Sequence, residues 1–262
     1  MSRKPEPSNS SPTPGSKKGH LKSDPFRFVL RSYIQSPTTQ PADTVIYHND
    51  YWVFIQDKFP KSQIHCLLVS RDPAISELHP CTALSKPKFL AAAREEVKRA
   101  KSIVAAEARR RWGTTSAKEK ARRDAMEKLL ESADEIGEDK EMSPEERQAE
   151  LEAQLPSGRD WESEILVGVH AHPSLYNVHI HILTPDRFSE KMKHKKHYNS
   201  FQTRFLVGLD EFPLPEDQRE GQGRGRYLKG DLECWRCKKK FGSHFAELKR
   251  HLEEEYEDWR QL

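Results

Sequence analysis

The sequence predicts an α+β fold in which an antiparallel sheet with packed helices is followed by a small C-terminal unit. Residues 177–183 alternate with the period of a β-strand, and residues 86–111 have the apolar spacing of a long amphipathic helix. Two close cysteines, Cys234 and Cys237, follow a glycine-rich segment at 216–230. Of the 262 residues, 35% are hydrophobic and 32% are charged. We therefore expect one main domain with charged accessories.

The remaining elements follow from local composition. Residues 1–24 are rich in Ser, Pro and Lys, and we expect a disordered basic tail there. Apolar spacing predicts a short helix over 26–34. Runs of β-branched and aromatic residues predict further strands, the first two joined as a hairpin, over 44–47, 52–56, 65–69, 161–169 and 205–207.

A charged insertion interrupts this pattern between about residues 114 and 156. It consists of Lys, Arg, Glu and Ala with scattered Leu. Ser143, Pro144 and Glu146 have the spacing of an N-cap, a first-turn proline and a capping-box glutamate, which predicts a helix. We expect its charged face to be solvated, and a partner-binding helix is the alternative. The predicted units are the tail 1–24, a main domain 25–215 that includes the insertion, a linker 216–230 and a C-terminal unit 231–262.

Two histidines occupy one face of the strand at 177–183. Because side chains alternate along a strand, His179 and His181 point the same way and their apolar neighbours face the core. We expect this strand to be half exposed. A preceding strand and turn add His170 and Ser174, which are typical of the other arm of a hairpin. The two strands together therefore gather several polar side chains.

These motifs resemble the histidine triad superfamily, whose signature alternates three histidines with apolar residues along one strand. Asn177 stands at the first of the three positions. The sequence is similar to the aprataxin family in the strand itself and in three further motifs. These are residues 57–61 followed by His65, residues 169–174, and residues 195–201. The resemblance extends from about Phe26 to the C-terminus, except for the insertion, and implies a histidine triad domain followed by a zinc finger.

The resemblance also implies roles for the histidines. His179 would be the nucleophile and would form a covalent His–AMP intermediate. His181 and His170 would orient and polarise the phosphate, with His65 at the phosphate end of the same catalytic site. A neutral imidazole can attack phosphorus, and the phosphoramidate that forms is easily hydrolysed. The other nitrogen of the nucleophile then needs a fixed acceptor, for which we expect a backbone carbonyl from the neighbouring strand or turn.

The nucleotide and DNA contacts are implied in the same way. Asp57 would bind ribose hydroxyls, Lys61 would line the phosphate end, and Ser174 would donate to phosphate oxygens. Asn177 lacks the imidazole but keeps hydrogen-bonding groups for the nucleotide site. The resemblance implies DNA contacts at Phe26, Lys196 and His197. Phe26 would stack on a terminal base pair, and an ordinary core anchor is the alternative.

The C-terminal cysteines belong to a zinc-binding pattern. Thirteen residues separate Cys237 from His251, and Glu255 follows four residues later on the same helix face. The spacing predicts a structural zinc ion bound by Cys234, Cys237, His251 and Glu255. His244 is the rival fourth ligand, but its spacing is poor.

Any attraction for a polyanion must come from local clusters of basic residues, because the net charge of the chain is small. With 44 Lys and Arg against 41 Asp and Glu, the net charge is only +3. Basic clusters lie in the tail, at residues 191–196 and at Lys249 and Arg250, which offer DNA phosphate contacts.

The cysteines form no disulfide framework, and no apolar run approaches the ~20 residues that span a bilayer. We expect a nuclear protein, also present in the cytoplasm, without membrane contact.

The resemblance as a whole implies a DNA-repair deadenylase that removes AMP from 5′-adenylated DNA ends. Structural zinc is the expected cofactor, no catalytic metal is expected, and AMP is the expected product. One alternative is a histidine triad hydrolase of dinucleotides or phosphoramidates. A second alternative is a zinc-finger nucleic-acid-binding protein without activity. We expect a monomer, since the finger is predicted to occupy the surface through which histidine triad sheets pair.

Overall fold

A six-stranded antiparallel sheet forms the centre of the protein. The structure, a computed structural model, describes residues 25–136, 143–219 and 221–262, so the predicted tail 1–24 lies outside the described residues. The strand order is β1-β2-β3-β5-β4-β6, and every neighbouring pair is antiparallel. The strands are β1 (Val45–His48), β2 (Trp52–Gln56), β3 (His65–Ser70), β4 (Leu166–His170), β5 (His179–Leu183) and β6 (Leu206–Gly208).

Helices surround this sheet, and a second sheet of two strands lies near the C-terminus. The predicted α+β fold is therefore confirmed. The helices are α1 (Arg31–Gln35), α2 (Pro80–Leu84), α3 (Pro87–Trp112), α4 (Ala117–Ile136), α5 (Pro144–Gln154), α6 (Trp161–Glu164), α7 (Lys195–Gln202) and α8 (Phe245–Arg260). The small sheet pairs β7 (Leu232–Glu233) with β8 (Lys240–Gly242). Among the described residues, no helix is long and apolar enough to cross a membrane.

Helix α3 covers one face of the large sheet. Its buried residues recur every three or four positions and include several alanines, such as Ala93 and Ala100, which let the helix approach the sheet closely. They pack in one cluster with Phe54, Leu68 and Ile180. The opposite face carries a second buried cluster, formed by Val53, Ile55, Leu67 and Val69 with Leu30, and the histidines of β3 and β5 lie on this same face.

The described residues of the insertion form helices α4 and α5, of which the sequence predicted the second. The predicted capping box is present: Glu146 N–H donates to Ser143 Oγ at 3.2 Å, and Ser143 N–H donates to Glu146 Oε2 at 3.0 Å. Most of the described residues of both helices are exposed, as expected. The start of α4 is nevertheless fixed, because Ala117 N–H donates to the Gln261 carbonyl at 2.8 Å and Glu119 is buried.

Two predicted boundaries were wrong. Residues 161–164 form helix α6 instead of strand, because the Asp160 side chain caps Ser163 N–H at 3.0 Å, and β4 starts only at Leu166. The predicted helix 26–34 is a 3-10 turn, Pro25–Phe28, followed by α1. The backbone of Phe26 lies in that turn, and its side chain lies outside the described part of the chain.

Aromatic residues join α8 to the main domain. Trp259 is buried, with its ring 5.0 Å from that of Trp112 and 6.2 Å from that of Trp161. The Arg159 guanidinium lies 4.8 Å from the Trp259 ring, and Trp259 Nε1–H donates to Glu164 at 2.6 Å. The C-terminal helix is therefore packed onto the large domain through its last turn.

Candidate active site and metal centre

His65, His170, His179 and His181 line one cavity of about 560 Å³ on the face of the sheet opposite α3. The strand register explains their proximity, because β3 and β5 pair with Leu67 opposite His181 and Val69 opposite His179. Odd-numbered residues of both strands therefore share a face. The predicted site residues that line this cavity are Asp57, Lys61, His65, His170, Ser174, His179, His181, Lys196 and His197.

His179 is held in a single tautomer by the backbone. Its Nδ1–H donates to the Asn177 carbonyl at 2.6 Å, which leaves Nε2 unprotonated. The acceptor is the expected backbone carbonyl, supplied by the segment that enters the strand of His179 itself. Burial lowers the pKa of His179, so the ring is neutral at neutral pH. The prediction of a half-exposed strand was wrong: every residue of β5 is buried, and His179 is 3% exposed.

His65 and His181 form a direct hydrogen bond whose direction can be derived. Lys61 N–H donates to His65 Nδ1 at 3.1 Å, so the His65 proton lies on Nε2. That Nε2–H donates to His181 Nδ1 at 3.0 Å, which places the His181 proton on its own Nε2. Burial lowers the pKa of His65 to about 4 and that of His181 well below its ordinary value. His181 Nε2–H has no partner among the described residues, so this buried donor is free for a ligand.

His170 lies beside His181 at the end of β4. The two ring centroids are 4.3 Å apart, and the ring of Phe201 packs 4.6 Å from His170. Burial and the neighbouring histidine rings lower the pKa of His170 well below its ordinary value. Its Nε2 is buried without a partner among the described residues. The cavity is therefore lined by neutral imidazoles with unused polar atoms.

Asp57 and Lys61 line the same cavity as these rings. Asp57 accepts the Phe59 N–H at 2.7 Å, and its other oxygen lies 3.5 Å from His65 Nδ1. The carboxylate therefore stabilises the turn and also lines the cavity. Burial lowers the pKa of Lys61, whose ammonium contacts the Phe59 carbonyl.

Asn177 is placed differently from the other predicted nucleotide-binding residues. It does not line the cavity; its Nδ2 donates to Ser76 Oγ at 3.0 Å, and both residues are buried. Its backbone carbonyl reaches the site instead, through His179. Sequence reasoning missed Ser76, since a serine in the loop before α2 carries no distinguishing pattern.

The predicted DNA contacts other than Phe26 fall into two groups. Lys196 and His197, on α7, line the cavity together with Lys191 and Lys193. Burial lowers the pKa of His197, which favours its neutral form. Lys249 and Arg250 lie on α8, outside the cavity wall, with Arg250 exposed. A separate basic surface is thus available on the C-terminal unit.

The four predicted zinc ligands meet at the junction of the small sheet and α8. Ligand atoms of Cys234, Cys237, His251 and Glu255 all lie within 4.8 Å of one another. His251 Nε2 is 3.0 Å from Cys237 Sγ and 3.0 Å from Glu255 Oε1. Two sulfurs, one imidazole nitrogen and one carboxylate oxygen fit a tetrahedral zinc ion. His244 precedes α8 with its Nδ1 3.1 Å from the Phe241 carbonyl, outside this group.

Asp57, His65 and His181 also bring ligand atoms within 4.8 Å of one another. In this second group His65 Nε2 and His181 Nδ1 are hydrogen-bonded to each other at 3.0 Å. That no catalytic metal is used stays a prediction.

Comparison with known proteins identifies the family. A HIT domain model matches residues 38–188, and a C2HE / C2H2 / C2HC zinc-binding finger model matches residues 202–258. An aprataxin-like protein of Schizosaccharomyces pombe is 34% identical over 235 residues, 89% of this chain and 83% of that protein. One of Saccharomyces cerevisiae is 33% identical over 88% of this chain and 96% of that protein.

Solved structures agree with this result. The crystal structure of the aprataxin ortholog Hnt3 in complex with DNA superimposes with a TM-score of 0.65 at 31% identity, over 89% of this chain and 96% of that one. A structure of Hnt3 with DNA and guanosine gives a TM-score of 0.64. The residues matched include the histidine strand and the zinc-ligand group described above. The chain therefore belongs to the aprataxin family of histidine triad proteins, with a C2HE-type zinc finger at its C-terminal end.

Proposed function

We propose that this protein removes AMP from 5′-adenylated DNA ends through a covalent intermediate on His179. In the first step His179 Nε2 forms a bond to the phosphorus of the AMP group. The bond from that phosphorus to the DNA 5′-phosphate oxygen breaks, and the DNA leaves with its phosphate. In the second step water attacks the phosphorus, the P–N bond breaks, and AMP and neutral His179 are released.

The tautomer of His179 is the observation that carries this proposal. Its Nδ1–H donates to the Asn177 carbonyl, so the lone pair of Nε2 is available at the cavity without prior loss of a proton. The same hydrogen bond stabilises the positive charge that the ring acquires when Nε2 attacks. A buried ring with a lowered pKa also stays neutral, and hence nucleophilic, at physiological pH.

Neighbouring donors support the reaction at phosphorus. The unused His181 Nε2–H is available to a non-bridging phosphate oxygen, and Ser174 lines the same cavity. A DNA 5′-phosphate is a leaving group of low proton affinity, so the reaction needs little general-acid help. The loss of the first triad histidine, replaced by Asn177, is therefore compatible with activity on this substrate.

The DNA part of the proposal rests on charge and on relatives. Hnt3, a family member, has been crystallised with DNA. Here Lys191, Lys193 and Lys196 line the same cavity as the histidines, so a phosphate backbone would meet positive charge next to the nucleophile.

Zinc would be held by the four converging ligands and would keep the finger folded, with no part in the chemistry. A monomeric state and a nuclear location belong to the same proposal.

Two substrates separate this function from its rivals. The purified protein is incubated with a nicked duplex carrying a 5′-adenylate and, separately, with a diadenosine polyphosphate. The proposal predicts rapid AMP release from the DNA and slow release from the dinucleotide. Equal or faster turnover of the dinucleotide would favour a small-molecule hydrolase, and DNA binding without any AMP release would favour a non-catalytic zinc-finger protein.

A further inference from the structure

Gly221 lies directly against the residue that follows His170 in the chain. It has a φ of 69°, and a Cβ atom there would overlap the Ala171 carbonyl group, 2.7 Å from its carbon. The obstructing atoms are backbone, so they cannot rotate away as the end of a flexible side chain would. Glycine therefore permits an approach that another residue would block.

The Ala171 carbonyl is also fixed by the ring of His79. Cys81 N–H donates to His79 Nδ1 at 3.2 Å, so the ring proton lies on Nε2. That Nε2–H donates to the Ala171 carbonyl at 3.0 Å. On its other side, Ala171 N–H donates to the Phe205 carbonyl at 2.9 Å. Ala171 is thus held by contacts with three separate parts of the chain, at Gly221, His79 and Phe205.

The position of His170 depends on these contacts because His170 shares a peptide bond with Ala171. Its ring lines the cavity, with Nε2 buried and free of a partner among the described residues. A displacement of the Ala171 peptide would rotate the end of β4 and move that nitrogen relative to His181. Misplacement of a reacting group by about 1 Å can cost on the order of 100-fold in rate.

Residues 221–230, which we call the connecting segment, continue from Gly221 along the cavity. Leu228 lines the cavity with His170. Asn199 Nδ2 donates to the Gly230 carbonyl at 2.8 Å and to the Leu228 carbonyl at 3.4 Å. Strand β7 of the small sheet begins two residues later. One short segment therefore joins the wall of the active site to the zinc finger.

We infer that Gly221, at the start of the connecting segment, positions His170 for catalysis by fitting against the Ala171 carbonyl. The inference rests on the proposed function for its kinetic readout. It adds that Gly221, in the predicted linker 216–230, supports the chemistry itself and not DNA contact alone. Turnover of a small adenylate, which needs no duplex contact, should consequently depend on Gly221.

The chain offers a matched control for this test. Gly223 has a φ of 74°, close to that of Gly221, but a Cβ atom there would meet no described atom within 4 Å. Gly221→Ala and Gly223→Ala therefore introduce the same backbone strain, and only the first adds the overlap with Ala171. His79→Asn is an independent variant, because the shorter side chain can still cap Cys81 N–H but cannot reach Ala171.

The three variants are compared with wild type in kcat and KM for 5′-adenylated DNA and for a diadenosine polyphosphate. The ¹⁵N chemical shifts of the His170 ring are recorded on each folded protein. Gly221→Ala is expected to lower kcat on both substrates by about 10- to 100-fold, with KM changed less than about threefold, and to shift the His170 resonances. His79→Asn should change kcat and the resonances in the same direction, and Gly223→Ala should stay within about twofold of wild type.

Equal effects of Gly221→Ala and Gly223→Ala would overturn the inference. So would unchanged His170 resonances in both Gly221→Ala and His79→Asn. If Gly221→Ala fails to fold, His79→Asn alone decides between the outcomes. If wild type releases no AMP from either substrate, the proposed function fails, and the His170 resonances still determine whether the connecting segment positions this ring.

Discussion

The loop residue Ser76 offers a way to perturb the nucleophile without touching it. Asn177 Nδ2 donates to Ser76 Oγ at 3.0 Å, and Val178 N–H donates to the Ser76 carbonyl at 2.7 Å. Between these anchors, the Asn177 carbonyl accepts the Nδ1–H of His179. Ser76→Ala keeps the backbone bond and removes the side-chain bond, so it loosens the carbonyl that sets the tautomer of His179.

The size of the effect follows from burial. Ser76 is 4% exposed and Asn177 is 3% exposed, and Asn177 Oδ1 already has no partner among the described residues. The substitution would leave both ends of a buried amide unpaired, which costs about 1–3 kcal/mol in free energy of unfolding. For a chain of this length that is a fall in Tm of roughly 2–12 °C. We expect kcat to fall by about 10- to 100-fold as well, because the His179 ring loses its fixed orientation.

Ser70→Ala is the control, since Ser70 is buried nearby and its hydroxyl accepts Asp72 N–H at 3.3 Å without contacting Asn177. Thermal melts and steady-state rates on 5′-adenylated DNA are measured for both variants at a temperature well below either Tm. Both should lose stability, and only Ser76→Ala should lose kcat. Comparable rates in the two variants would refute the claim that Ser76 acts on the nucleophile through Asn177.

Three further predictions concern the metal, the packing of the finger and the pH dependence. Cys237→Ser should lose the zinc ion in metal analysis while His244→Ala keeps one per chain, and the reverse pattern would contradict the proposed ligands. Trp259→Ala should lower the free energy of unfolding by about 3–5 kcal/mol in chemical denaturation, because the ring is buried among other aromatic rings; a loss below about 1 kcal/mol would show that α8 is not anchored there. Burial lowers the pKa of His179, so the neutral form persists below the ordinary histidine pKa of about 6.5, and the acidic decline in kcat/KM should be centred below that value; a decline centred at or above about pH 6.5 would contradict this.

Local patterns predicted the strands that carry the site. Strand β2 has the predicted bounds, and His179 and His181 share a face, because alternation along a strand depends only on neighbouring residues. The zinc-ligand group followed from spacing for a similar reason, since a cysteine knuckle and one helix turn are both local. The strand predicted over 161–169 shows the limit: at its start, a capping side chain at Asp160 outweighs the strand preference of Trp161.

Contacts between residues that are distant along the chain could not be predicted from local sequence patterns. The hydrogen bond from Asn177 to Ser76 joins residues 101 positions apart, and no local pattern marks Ser76 as the partner. The close approach of Gly221 to Ala171 likewise needs the folded chain, because a glycine in a polar segment is equally typical of a flexible linker. Burial of the histidine strand was missed since the expectation of a half-exposed strand ignored the elements that cover its second face.

The most direct test of the central claim is isolation of the covalent intermediate on His179. Wild type is mixed with DNA carrying a radiolabelled 5′-adenylate, quenched in base within milliseconds to seconds, and digested for peptide mapping. A phosphoramidate on the peptide that contains His179 is expected, stable to base and released by acid, and absent from His179→Ala although that variant keeps its fold. AMP release by His179→Ala at a rate near that of wild type, or a label on a different residue, would contradict the mechanism.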